Sequence, residues 1–162
     1  MAPILAFLPV ILPYNGNWPS LQATAHQVFR DDFFVNGVFD GDVRVVVDNS
    51  IGPDGLENGF THIVTRCNGH GTRGPDVMRA RRIGWIKPII ENAGCGEVGY
   101  RHWRHTEGHS DVRRYYWAER DDFVVVVAER GRAHGPWFLV SSFYITHQAK
   151  RADLETRYKR RL

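Results

Sequence analysis

Apolar and polar positions alternate in different rhythms along the chain, and each rhythm predicts an element. In NWPSLQATAHQVFRDDFF (17–34), Leu21, Ala25, Val28 and Phe29 return at helical spacing, with Ser20 as a candidate N-cap. DVRVVVD, Asp42 to Asp48, is rich in β-branched residues, and FTHIVTR, Phe60 to Arg66, alternates; both predict strands. The turn-rich NSIGPDGLENG between them suggests a hairpin with a long loop. CNGHGTRG, Cys67 to Gly74, reads as a flexible loop. PDVMRARRIGWIKPIIENAG (75–94) predicts a helix with Pro75 and Asp76 in its first turn and a kink near Gly84 and Pro88. Three further strands follow at 111–118, 123–130 and 137–145, with ERDD and GRAHGP as hairpin loops. FVVVV lacks alternation, which marks a central strand covered on both faces.

The last strand, WFLVSSFYITH, begins as core and then collects hydroxyls. Strict alternation sorts Leu139, Ser141, Phe143, Ile145 and His147 onto one face and Phe138, Val140, Ser142, Tyr144 and Thr146 onto the other. The tail after it is helix-prone and cationic, with Leu154 and Tyr158 spaced to dock on the sheet. The expected fold is α+β: N-terminal helices packed on a mainly antiparallel four- to five-stranded sheet, ending in a basic C-terminal helix. A single domain over 1–162 is expected, with residues 1–18 as a proline-rich arm on its surface.

Charge sharpens this picture. Residues 1–60 hold two basic and seven acidic groups, a net of −5, and the other 102 hold 19 basic and 11 acidic, a net of +8. That asymmetry points to a polyanion partner for the C-terminal part, or else to a solubilising tail. Cys67 and Cys95 form no Cys-x-x-Cys pair, which suits a reduced, cytoplasmic setting. The apolar start MAPILAFLPVILP carries no preceding Lys or Arg, is broken by prolines, and is too short to span a bilayer, so no membrane association is expected.

Several groups could carry chemistry. On a strand, His62 and Arg66 would share a face, pairing a proton carrier with a phosphate fork; an exposed polar face is the plainer reading. Ser142 and Tyr144 point one way and Ser141 the other, offering hydroxyls to phosphate and an aromatic ring to a base; an edge strand leaving the core explains them equally. RHWRHTEGH spaces His102, His105 and His109 as zinc ligands on a helix would be, or as incidental histidines in a polar loop. Arg104 beside Trp103 suits nucleic-acid contact, as do Lys150 and Arg157 in the tail. No nucleotide-binding glycine loop and no serine-hydrolase elbow is present.

In order and spacing, FTHIVTR, RARRIGWIKPIIENA, RRYYWA, FVVVVAER and FLVSSFYI followed by a basic helix resemble the phage-associated barnase–EndoU–colicin–RelE-like (BECR) nuclease superfamily over roughly residues 35–160. The resemblance implies a ribonuclease that needs no metal or other cofactor, often a toxin effector with an immunity or antitoxin protein as partner. By position it assigns His62 and Arg66 to the site and a hydroxyl to Ser141, while Phe143 stands where the pattern has Tyr. The expectation is RNA transesterification with His62 as base, Arg66 stabilising charge, and Ser141 or Ser142 with Tyr144 orienting substrate; His70, His105 and His147 are candidate acids. The alternative is a non-catalytic RNA- or protein-binding module on the same fold.

Overall fold

The computed structural model describes residues 2–130 and 134–162; Gly131–Ala133, in the predicted GRAHGP loop, and Met1, at the start of the arm, lie outside them. Helix α1 spans Trp18–Arg30. Its N-cap is Asn17, three residues before the expected Ser20: the Asn17 side chain accepts from the Ser20 N–H at 3.0 Å. The α1 helix buries Leu21, Ala25 and Phe29 and runs on into a π-helical turn, Asp31–Asn36. The segment after residue 75 breaks as its glycine and proline suggest, into α3 (Val77–Arg81), a 3-10 turn (Ile83–Trp85) and α4 (Ile86–Glu91).

The main sheet has six strands rather than four or five. Strands β1 (Val38–Asp40), β2 (Val43–Val46), β5 (Tyr100–Glu107), β6 (Asp111–Ala118), β7 (Phe123–Ala128) and β8 (Trp137–Tyr144) lie in the order β1-β2-β8-β7-β6-β5. Every pairing is antiparallel except β2 with β8, which run parallel over Val45–Val46 and Trp137–Phe138. Every residue of β7 is buried, as its unbroken apolar run requires. On one face Phe123, Val125 and Val127 meet the N-terminal helices through Phe29, Ile86 and Ile90. On the other face Val124 and Val126 join Trp103, Tyr115 and Trp117 beneath α5 (Gln148–Lys159), whose Leu154 is fully buried.

FTHIVTR is not a strand. It forms helix α2, Asn58–Val64, followed by a short strand β3, Thr65–Cys67, paired with β4, Arg73–Pro75. The same letters satisfy two periods: Phe60, Ile63 and Val64 are spaced i, i+3, i+4, and those three are the buried ones. The expected hairpin with Asp42–Asp48 is therefore absent; β2 pairs with β1 and β8 instead. The arm is more than a surface strap. Leu5 and Leu8 are buried in the core, Asp121 accepts the Ile4 and Leu5 N–H groups at 2.7 and 3.0 Å, and the Trp85 indole donates to the Pro9 carbonyl at 2.7 Å.

Because Leu154 is the buried anchor of α5, Leu154→Ala is expected to cost about 2–5 kcal/mol of unfolding free energy. Chemical denaturation measures it; a loss well under 1 kcal/mol would show that the helix is not part of the cooperative core.

Candidate functional site

A cleft of about 890 Å³ opens where β2 parts from β8 and α2 fills the gap. One wall is Thr61, His62 and Ile63 of α2, with Arg73 of β4 beside them. The other wall is the strand ends that α5 leaves uncovered: Asp111 and Arg113 of β6, Ala128 and Arg130 at the end of β7, and Phe138 to Val140 of β8. Val47 to Asn49 and Asn58 close the remaining side.

Backbone approach fixes this geometry. The Gly59 N–H donates to the Asp48 carbonyl at 2.9 Å, and a Cβ at Gly59 would lie 2.7 Å from that oxygen. A glycine there lets the start of α2 press against the chain leaving β2. At the other end of α2, Arg73 donates to the His62 and Thr65 carbonyls at 3.1 and 2.8 Å and to the Thr65 hydroxyl at 2.9 Å. Arg79 adds a bond to the Thr65 carbonyl at 3.2 Å. The unpaired carbonyls of the helix C-terminus thus hold cations beside His62. Partial burial lowers the pKa of His62 first, and the Arg73 and Arg79 charges lower it further, against a weak hydrogen bond to the Val140 backbone. His62 is accordingly a neutral, solvent-accessible imidazole at pH 7.

Alternation across the strand ends divides neighbouring residues between two environments. Arg113, Ala128 and Phe138 share one row and line the cleft. Arg114, Glu129 and Trp137 point the other way, into a charged network. There Glu129 is buried and accepts from Arg104 at 2.8 and 2.9 Å and from Arg114 at 2.8 Å. Burial pushes the Glu129 carboxyl up, but the two guanidinium groups together outweigh it and lower the pKa. Arg114 also lies 4.0 Å over the Trp137 ring and 3.7 Å from Asp40, whose carboxylate accepts from the Tyr116 hydroxyl at 2.5 Å.

Strand β8 carries the largest departure from sequence expectation. Val126 pairs with Ser141 but Val127 with Leu139, so Val140 is the extra residue of a β-bulge. Past the bulge the faces exchange. Ser142 and Tyr144 pair with Val125 and Phe123 and so join Leu139 on the helix side; Ser141 and Phe143 turn toward α5. Ser142 is fully buried, its hydroxyl without a protein partner, and Tyr144 lies under the Arg82 guanidinium at 4.3 Å.

Of the expected site residues, His62 alone lines the cleft. Arg66 is exposed on β3, in the hairpin beside it. Ser141, Ser142 and Tyr144 lie elsewhere, and Ser142 is out of reach of any ligand. Arg104 is held by Glu129, Arg157 by Glu107 and Asp153, and Lys150 by Asp153 at 3.4 Å. His70 sits exposed in the β3–β4 turn, His147 is the exposed residue just before α5 and makes no side-chain capping bond, and His105 lies on β5 against Tyr115. RHWRHTE forms strand β5, so His102 and His105, three apart, face opposite ways. Among the described residues no group of three or more His, Cys, Asp or Glu is arranged to hold a metal ion. The residues that sequence reasoning missed, Arg73, Arg113, Arg130 and Phe138, had a readable signal for the last three: once the meander is registered, they fall at neighbouring strand ends.

Ser142→Ala is expected to leave stability unchanged or raise it by about 1 kcal/mol, because it removes a buried hydroxyl lacking a protein partner. A denaturation midpoint lower than the parent's would overturn that. Comparison with protein-family models, curated proteins and solved structures finds no match to this chain.

Proposed function

We propose that the cleft is the active site of a metal-independent endoribonuclease. The observation that carries the reading is a solvent-accessible His62 in a cleft that also presents Arg73, Arg113 and Arg130; burial and the Arg73 and Arg79 charges hold its pKa below the usual imidazole value. Imidazole moves a proton near neutrality, and guanidinium groups bind phosphate oxygens through forked donors. His62 takes the proton from a ribose 2′-OH. The freed oxygen attacks the adjacent phosphorus, the bond to the 5′-oxygen breaks, and a 2′,3′-cyclic phosphate remains. The leaving oxygen takes a proton from a second acid, for which His70 in the adjoining hairpin is the nearest candidate along the chain. Arg73 takes the charge-stabilising part first expected of Arg66, since Arg73 lines the cleft and is held in place by the α2 carbonyls. The resemblance to BECR nucleases supports the same chemistry at His62 alone, since Arg66 and Ser141, which it also assigns, lie outside the cleft. A toxin role, an immunity or antitoxin partner and a cytoplasmic setting rest on that resemblance and on the cysteines alone. No helix among the described residues is long and apolar enough to cross a membrane.

His62→Gln is expected to lower cleavage of a labelled RNA in EDTA by about 10²–10⁴-fold. Because the His62 pKa lies below 6.5, the base stays available at pH 7 and is lost only as pH falls through that lower value. The acid limb of kcat/KM should therefore lie below pH 6.5 and move upward in Arg73→Gln. Unchanged cleavage by the His62 variant overturns the mechanism; salt-sensitive RNA binding without a cyclic-phosphate product would favour the binding-module reading.

A further inference from the structure

We propose that Phe138 and Arg130 form a stacking subsite for one unpaired base, so that the cleft selects single-stranded over duplex RNA; this rests on the ribonuclease reading above. Phe138 is only partly buried and lines the cleft. The Arg130 guanidinium lies 4.1 Å over its ring centroid. Among the described residues Arg130 has no carboxylate partner, whereas Arg113 is tied to Asp111 at 2.9 Å and Arg114 to Glu129 at 2.8 Å. An exposed, unpaired guanidinium resting on an aromatic face can slide or lift to admit a second planar group. Stacked on Phe138, a base would keep the aromatic contact and leave the cation against its outer face or a phosphate.

Phe138 pairs with Ala128, and Ala128 with Arg113, so the phenyl ring and a second guanidinium flank one cross-strand row. Ala128 itself is buried, and the partly exposed Phe138 ring is the surface of this row that a base can reach from the cleft. His62 and Phe138 line the same cleft, with Arg73 beside the one and Arg130 over the other. A base stacked on Phe138 would therefore place its phosphate in the cleft that His62 lines. A purely apolar ligand would leave Arg130 unmatched, and a free anion would leave the ring unused; a nucleotide uses both. In a duplex each base face is already stacked on its neighbours, so only an unpaired, splayed base can offer a face to Phe138.

The experiment is binding of a short 2′-O-methyl RNA, which cannot be cleaved at its 2′ positions, as a single strand and annealed to its complement. The parent is expected to prefer the single strand. Phe138→Leu, which keeps apolar bulk and removes the aromatic face, is expected to weaken single-strand binding roughly 5–150-fold and to erase the preference, while Phe138→Trp retains both. Thermal unfolding of each variant confirms the fold. Equal affinity of parent and Phe138→Leu, or equal binding of duplex and single strand by the parent, overturns the subsite. A parent that leaves unmodified RNA intact yet shows the Phe138-dependent preference would remove the ribonuclease reading and leave the subsite standing.

Discussion

Strand β7 has no polar side to offer water, and the architecture follows from that constraint. Six buried residues in succession demand a cover on each face of the sheet. The N-terminal helices, with the arm's Leu5 and Leu8 among them, supply one cover, and the single helix α5 supplies the other. The two covers are unequal in extent. One twelve-residue helix shields Trp103, Tyr115, Trp117, Val124 and Val126 but not the far ends of β6, β7 and β8. The cleft is the part of the second face that α5 does not reach, and α2 builds its outer wall.

Where the second cover ends, the side chains become charged, and alternation then sorts them by task. Arg114, Glu129 and Trp137 turn inward to a network that Asp40 completes from β1, across three intervening strands. A buried carboxylate is costly unless its partners are close, and here two guanidinium groups hold it ionised. Their sequence neighbours Arg113, Arg130 and Phe138 turn outward to the cleft. The network behind thus supports the backbone from which the cleft residues project at the ends of the strands.

Much of the frame was legible in the sequence because its signals were long or redundant. The meander, the buried central strand and the docking of Leu154 follow from apolar runs that only one arrangement buries. The breaks in the third helical region follow from Gly84 and Pro88. FTHIV failed because five residues fit both a strand and a helix, and a contact that favours the helix, Gly59 against the Asp48 carbonyl, is tertiary. The final strand failed for a different reason. One extra residue at Val140 exchanges the faces of everything after it, and a bulge leaves no mark on composition. The hydroxyls that drew attention in SSFY were thereby divided between a closed core and the α5 interface, while the histidine first placed on a strand kept its access to solvent from a helix.

The bulge also settles what the basic tail can contribute. Arg151 and Arg157 bind Asp122 and Glu107, and Arg101 of β5 binds Glu155 of α5 while lying between Trp117 and Tyr158. These cations are occupied in seating the helix over Phe143 and Ser141, the residues that the bulge turned toward it. Ion pairs that keep partial contact with water add little free energy singly; their effect is to orient a helix whose apolar anchor is small. The helix end, Lys159 to Arg161, is exposed, on the same sheet face as the cleft but toward the β5 edge, where the Leu162 N–H meets the Arg104 carbonyl at 3.0 Å. A polyanion seated in the cleft would meet Arg73, Arg113 and Arg130 first, and would reach the tail only by crossing β6. The net positive charge of the C-terminal half is thus divided into three: pairs that hold the fold, cations that line the cleft, and a terminal cluster able to touch only the far end of a long ligand.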